Sequence, residues 1–486
     1  MSQEYRTATE LTAALRARKV SAVELAGQAI ARIEAQDGKL NAVPVRDFER
    51  ARVAAKAADA ALARGETGAL LGLPMTVKES FSVAGLPTTW GLPGTQKIPV
   101  TQDAVAVTRL KKAGAVLLGK SNVSTLLADW QSSNAVYGTS NNPWDAGRTP
   151  GGSSGGSAAA LAAGFVPLEL GSDIGGSLRI PAHFCGVYAH KPSLGIVPLR
   201  GHAPPGVPVL SLAQRFDLPV AGPMARSATD LMLALDVLAG PDEADAAAYR
   251  LELPAPRHAA LKDYRVLVIA EHPLVPTGSA VRDALEQMAT RLEQAGCRVE
   301  YSSPLLPDLE LIGRTYVKLL MAFFGANMPD AEYAQARERS AGIPEAAADM
   351  PSIVLRSWTA SHRDWFQADG VRTFLSHQWR NLFRDWDIVL CPVTPAPAFP
   401  HENRAWEQRE LVVDGRTLRY GDQFHWVGPA TLCGLPATAL PAGLSPEGLP
   451  VGLQAIGPFL EDRTPIRFAE LVEKEFGGFV PPQFPA

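Results

Sequence analysis

Cysteine is scarce. Only Cys185, Cys297, Cys391 and Cys433 occur in 486 residues, and no two form a CxxC pair. That spacing removes a disulfide scaffold and a zinc ribbon, and leaves buried free thiols as the expected state. The nine histidines show no HExxH and no metal-like spacing, so no metal is expected. No GxGxxG opens a helix, so a dinucleotide site has no support and no cofactor is expected. Long apolar runs are missing too. A membrane helix needs about 20 consecutive apolar residues, and none is present. The opening MSQEYRTATELTAALRARKV lacks the apolar stretch of a signal peptide, so a cytoplasmic protein with no membrane contact is expected. Charge of one sign is also lacking. There are 46 Lys+Arg against 50 Asp+Glu, a net of −4. Phosphate-backbone binding needs clustered Lys and Arg, so the balance predicts no nucleic-acid partner and a small-molecule substrate.

What is present is the composition of a folded enzyme, with 46% apolar and 20% charged residues. The 42 glycines and 40 prolines demand many turns and shaped loops. Two capping boxes open the chain, Thr7 with Glu10 and Ser21 with Glu24, each followed by periodic apolar residues. An Ala-rich helix is predicted over 47–64, stopped by Gly65. Strands are predicted at 73–77, 115–118, 264–269, 388–390 and 437–440. Helices are predicted at 104–112, 228–238 and 279–294, and a loop at 210–218. Such alternation points to a layered α/β fold. The stretch 305–385 differs in being helical, amphipathic and rich in aromatics, among them Tyr316, Trp358, Trp379 and Phe383. It reads as a helical cover over a substrate pocket.

Two motif matches mislead. Gly114 to Ser121 fits GxxxxGK[ST], but its centre is Val116, Leu117 and Leu118. A phosphate cradle needs small flexible residues there, whereas these read as a buried strand. Gly151-Gly-Ser153-Ser-Gly155 fits the GxSxG nucleophile elbow, yet the preceding segment, Asn142 to Pro150, reads as a loop rather than an apolar strand.

The chemistry concentrates in 147–193. Gly/Ser clusters at 151–157 and 171–177 flank a helix-like run at 158–163 and a strand-like run at 166–170. Successive backbone N–H groups in such a turn form a nest that favours an anion, and Ser177 would sit beside it. The segment closely resembles the amidase signature family of serine amide hydrolases. The matching elements are GGSSGGS at 151–157 and GSDIGGSLRIP at 171–181. Earlier comes the lysine of GLPMTVKE at 72–79. They occur in the family's order, with Ser177 following Lys78 by 99 residues and Ser153 by 24. Gly119-Lys-Ser-Asn122, Gly138 to Pro143, Lys191-Pro-Ser193 and Leu449 to Gln454 extend the resemblance over about residues 5 to 480.

The resemblance implies a large mixed sheet covered by helices on both faces. It implies one amidase signature domain over 1–486, with a signature core of about 65–240 and the pocket cover at 305–385. Ser177 would be the nucleophile and Lys78 the base. Ser153, after a cis peptide bond, would be the bridge between them. The backbone N–H groups of Ile174, Gly175, Gly176 and Ser177 would hold the oxyanion. Asp173 and Arg179 would pair to shape the loop, and Ser154 would join the network. Lysine titrates near 10.4 when free, so Lys78 has to be buried to act as a base. The products would be a carboxylate and ammonia or an amine, from a small, aryl or alkyl amide. The alternatives are carbamate, ester or cyclic-amide hydrolysis, or the glutaminase subunit of a tRNA-dependent amidotransferase. A homodimer would suit the length. Three departures bear on specificity: Glu79 follows the lysine where the family has Asp, Thr125 stands where Glu is frequent, and Ala189-His190 precedes Lys191-Pro192. The pocket is expected to draw on the Pro-rich loop 203–209 as well as on 305–385.

Overall fold

The computed structural model describes residues 3–98, 100–206, 217–344 and 346–483. The chain is built on an eleven-stranded mixed sheet with helices on both faces. From one edge the order is Val45–Arg46, Val116–Ser121, Pro74–Lys78, Leu168–Asp173, Val220–Ala225, Tyr188–Lys191, Ala437–Leu444, Pro450–Ile456, Ile388–Pro392, Arg265–Val268 and Arg298–Glu300. Pro74–Lys78 runs parallel to both neighbours, Val116–Ser121 and Leu168–Asp173. Leu168–Asp173 then pairs antiparallel with Val220–Ala225 over its full length. Every residue of these four strands is buried. Polar side chains on strands covered from both sides cannot reach water, so they must pair with one another. Lys78, Glu169, Ser172 and Asp173 all sit under this constraint.

Both expected capping boxes form, on Ala8–Arg16 and Ala22–Leu40. The apolar core of the false phosphate-loop match is the strand Val116–Ser121, with Lys120 fully buried. Two boundaries in the signature segment shift. The helix begins at Gly155, immediately after Ser154, and the strand runs to Asp173 through the glycine and serine read as loop. Pairing of Gly171, Ser172 and Asp173 with Gly222, Ala221 and Val220 supplies the ladder that local propensity argued against. The strands at Tyr188–Lys191, Val220–Ala225 and Pro450–Ile456 escape the sequence pattern for the same reason, being short and carrying Pro, Gly or polar residues. The 305–385 stretch is helical, with helices Leu309–Ala326, Asp330–Ala341, Met350–Ser357 and His362–Asp385. The expected loop 210–218 and the end of the loop 203–209 fall largely outside the described residues.

Candidate active site

Lys78 ends the strand Pro74–Lys78 at the middle of the parallel part of the sheet, and its side chain is fully buried. Its Nζ lies 2.7 Å from Ser153 Oγ and 2.9 Å from Ser172 Oγ. Burial pulls its pKa down to about 7, and the nearby Asp173 carboxylate resists only in part. The amine is therefore deprotonated within the ordinary pH range and stands against a hydroxyl. The Gly152–Ser153 peptide bond is cis. Ser154 donates its N–H to Ser177 O at 3.3 Å, and its hydroxyl reaches Ser172 O at 3.4 Å. The two Gly/Ser clusters are thus joined backbone to backbone. No hydrogen bond links the hydroxyls of Ser153 and Ser177 among the described residues. Catalytic hydrogen bonds are often long before substrate is bound.

Ser177 precedes the helix Arg179–Cys185, and Asp173 with Arg179 clamps the turn between strand and helix. Arg179 Nε and Nη2 meet the two Asp173 oxygens at 3.1 and 2.9 Å, with both side chains fully buried. Burial acts to raise the Asp173 pKa, but the Arg179 charge and its hydrogen bonds prevail and hold it below the usual value. Arg179 also donates to Gln454 Oε1, Thr431 Oγ1 and Val427 O, which ties the loop to the C-terminal strand of the LPVGLQ motif. Asp173 accepts from the Gly176 N–H at 3.0 Å as well. Of the four N–H groups expected to face the anion, that of Gly176 therefore already has a carboxylate partner, and those of Ile174, Gly175 and Ser177 complete the turn.

Two aromatic residues unmarked by any motif shape the same turn. Trp130 Nε1 donates to Gly175 O at 2.8 Å, and Tyr316 OH donates to Ile174 O at 2.6 Å. These donors hold the carbonyls of Ile174 and Gly175, and with them the orientation of the turn's peptide groups. Tyr316 belongs to the helix Leu309–Ala326. Phe424 packs on Trp130, with ring centroids 4.4 Å apart, and stands where a Cβ on Gly175 would fall. Beyond Trp130 lies a cavity of about 300 Å³ whose lining includes Thr125, Asp129, Gln131, Trp406 and Arg409. Glu79 takes no part in the lysine contacts. It accepts from Thr89 N, Trp90 N and Tyr137 OH, and so pins the loop after the lysine strand.

Fold and site together define the class, a serine amide hydrolase with a buried lysine rather than a histidine. The amidase family profile matches residues 24–465, and the chain belongs to that family. It is an enzyme acting on amide bonds. It is 34% identical over 499 residues to a glutamyl-tRNA(Gln) amidotransferase subunit from Anaeromyxobacter sp. (strain K), covering 98% of this chain and 97% of that one. Among solved structures, a chain of an inhibitor-bound vestigial protein complex that bears on the evolutionary origins of an s-triazine catabolic enzyme has a TM-score of 0.80 and 31% identity. That match covers 96% of this chain and 98% of that one. The corresponding glutamyl-tRNA(Gln) amidotransferase subunit from Thermotoga maritima follows with a TM-score of 0.78 and 26% identity, over 99% and 98% of the two chains.

The two amidotransferase subunits overturn the expectation of no nucleic-acid partner, because they are by name parts of an enzyme for a tRNA. The physical reason is that net charge reports on phosphate contacts made by one chain. It is silent about an assembly in which another subunit carries the RNA. No helix among the described residues is long and apolar enough to cross a membrane.

Proposed function

We propose that this chain releases ammonia from the side-chain amide of glutamine as the hydrolytic subunit of a tRNA-dependent amidotransferase. The substrate choice rests on the full-length likeness, at 34% identity, to a subunit of glutamyl-tRNA(Gln) amidotransferase. The chemistry rests on one observation, the 2.7 Å contact between the buried Lys78 amine and Ser153.

Ser177 Oγ bonds to the amide carbon while its proton passes through Ser153 Oγ to neutral Lys78. A serine hydroxyl needs such a base, because it is a weak nucleophile at its own pKa. The oxyanion draws on the N–H groups of Ile174, Gly175 and Ser177. Lys78 returns the proton through Ser153 to the nitrogen, the C–N bond breaks, and ammonia departs. Water then attacks the acyl-enzyme by the same relay, giving the carboxylate and restoring Ser177. Asp173, Arg179 and Ser154 hold the turn.

The test is ammonia release from glutamine by the purified chain, alone and with subunits that co-purify with it. Ser177→Ala should abolish release, a loss of about 10³-fold or more, with folding intact by circular dichroism. Retained turnover would overturn the nucleophile assignment. A chain that purifies without a stoichiometric partner and cleaves aryl or alkyl amides but not glutamine would favour the second reading, a free-standing amidase. That reading is supported by the apolar wall of Trp130, Tyr316 and Phe424 around the oxyanion turn.

A further inference from the structure

The hydrogen bonds around Lys78 do not stop at Ser172. Ser172 Oγ lies 3.0 Å from His202 Nε2, and Ser80 Oγ lies 3.0 Å from the same nitrogen. His202 is buried, and its ring packs between Phe81 and Trp90, with centroids 4.6 and 5.2 Å away. Gly201 O accepts from Ser82 N, so the backbone before His202 is fastened to the loop that follows the lysine strand. Nothing in the reaction outlined above uses this histidine, and no signature motif includes it. Burial and the adjacent Lys78 hold its pKa down to about 3, so it is neutral.

The direction of each bond follows from the donor inventory. A neutral lysine amine has two N–H donors and one lone pair. Its neighbours are Ser153 Oγ at 2.7 Å, Ser172 Oγ at 2.9 Å and Ser172 O at 3.5 Å. To act as base it must offer the lone pair to Ser153, so both N–H groups have to point at Ser172. Ser172 Oγ can then only accept from the amine, and its own proton has to go elsewhere. Were that proton free to turn toward Lys78, it would occupy the lone pair and the base would be blocked.

Resting on the reading of Lys78 as the base, we propose that His202 is a positioning residue. Its Nε2 accepts the Ser172 hydroxyl proton, which leaves Ser172 as a pure acceptor toward Lys78 and keeps the lysine lone pair on Ser153. The proposal makes His202 the Nδ1–H tautomer, the one whose Nε2 can accept. Ser80 Oγ lies within hydrogen-bond distance of the same nitrogen. The charged groups facing this cluster are Lys78 itself and, beyond it, Asp173.

The test uses the full chain and a fluorophosphonate probe of Ser177, which needs no knowledge of the substrate. His202→Phe keeps an aromatic ring between Phe81 and Trp90 but removes the acceptor. His202→Gln places an amide oxygen near the lost nitrogen. The His202→Phe labelling rate, followed across pH, should drop about tenfold or more on its alkaline plateau, where the lysine is neutral throughout. His202→Gln should recover most of that loss. On whichever amide the chain turns over, His202→Phe should lower kcat with KM little changed.

Ser172→Ala removes the intermediary. Adding His202→Phe to it should cause no further loss, since the two act in series. Equal loss in the Phe and Gln variants, an unchanged plateau in His202→Phe, or additive losses with Ser172→Ala would each overturn the role. If His202→Phe fails to fold, His202→Leu takes its place in the same comparisons with His202→Gln and with Ser172→Ala. Absence of labelling in the unmodified chain would overturn the serine mechanism and this role with it. Labelling without glutamine turnover would refute only the substrate assignment.

Discussion

At the scale of single residues the decisive fact is which buried lysine meets a serine. Lys78, Lys120 and Lys191 are all buried, and burial lowers all three, to about 7, about 8 and about 7. Lys191 donates to the carbonyls of Pro192 and Leu435, and Lys120 to Pro87 O and Thr88 Oγ1 near Glu79. Of these three, only Lys78 touches serine hydroxyls. A depressed pKa is therefore common here, and geometry makes one instance useful. Two outcomes follow from Lys78. Its neutral form is the active one, so kcat/KM should rise as pH passes upward through about 7. A flat profile there would refute the base role.

The same shift is a stability cost. The folded pKa of about 7 lies below the free value of 10.5, so the unfolded chain binds more protons between the two. The cost is complete below about 7 and vanishes above about 10.5. Lys78→Met should thus abolish turnover yet stabilise the fold, by roughly a few kcal/mol at low pH. The gain should shrink between about pH 7 and about pH 10, read as denaturant midpoints along that range.

At the scale of elements, two loops and the strand ends they follow make the site. The loop carrying Ser153 has no room for a side chain at Gly152. A Cβ there would lie 2.3 Å from Asp129 O and 2.8 Å from Gln131 N, both backbone atoms of the loop that presents Trp130. Gly152→Ala must push the two loops apart. It should cost about 1–3 kcal/mol in stability. It should also lower turnover by about 10²-fold through displacement of Ser153, measured as kcat at saturating amide. At Gly176 the turn has φ +91, and a Cβ would meet Ile180 and Val427 at 2.8 Å. The GGS before Arg179 is therefore a steric requirement of the turn as well as a flexible one.

At the scale of the molecule, strands distant in sequence meet to close the site. The Asp173–Arg179 clamp is completed by Thr431 and Gln454, more than 250 residues later. The four cysteines lie buried in different parts of this body. Burial raises their thiols, Cys297 and Cys433 to about 11 and Cys391 to about 12. A thiol reagent in native buffer should consequently find them unreactive. Their modification should appear together with the global unfolding transition as denaturant is added. Stepwise reactivity well below the transition would contradict a continuous core.

The family resemblance rests on several motifs in order, GLPMTVKE, GGSSGGS and GSDIGGSLRIP among them, and the glycines in them are legible because a close backbone approach to an anion leaves few residue types possible. The capping boxes and the aromatic helices were legible for the same local reason: a helix declares itself within a few turns. Several features were not. Trp130 and His202 carry no local signature, and Tyr316 shows only as one aromatic of a helical stretch, since their roles are set by what the chain brings to them from 45, 30 and 142 residues away. The bond from the Gly176 N–H to the Asp173 carboxylate is likewise set by how the turn folds back. Residue types set the chemistry that was possible. Which amine lost its proton, and which hydroxyl it faced, depended on burial and distance, and both exist only once the strands have come together.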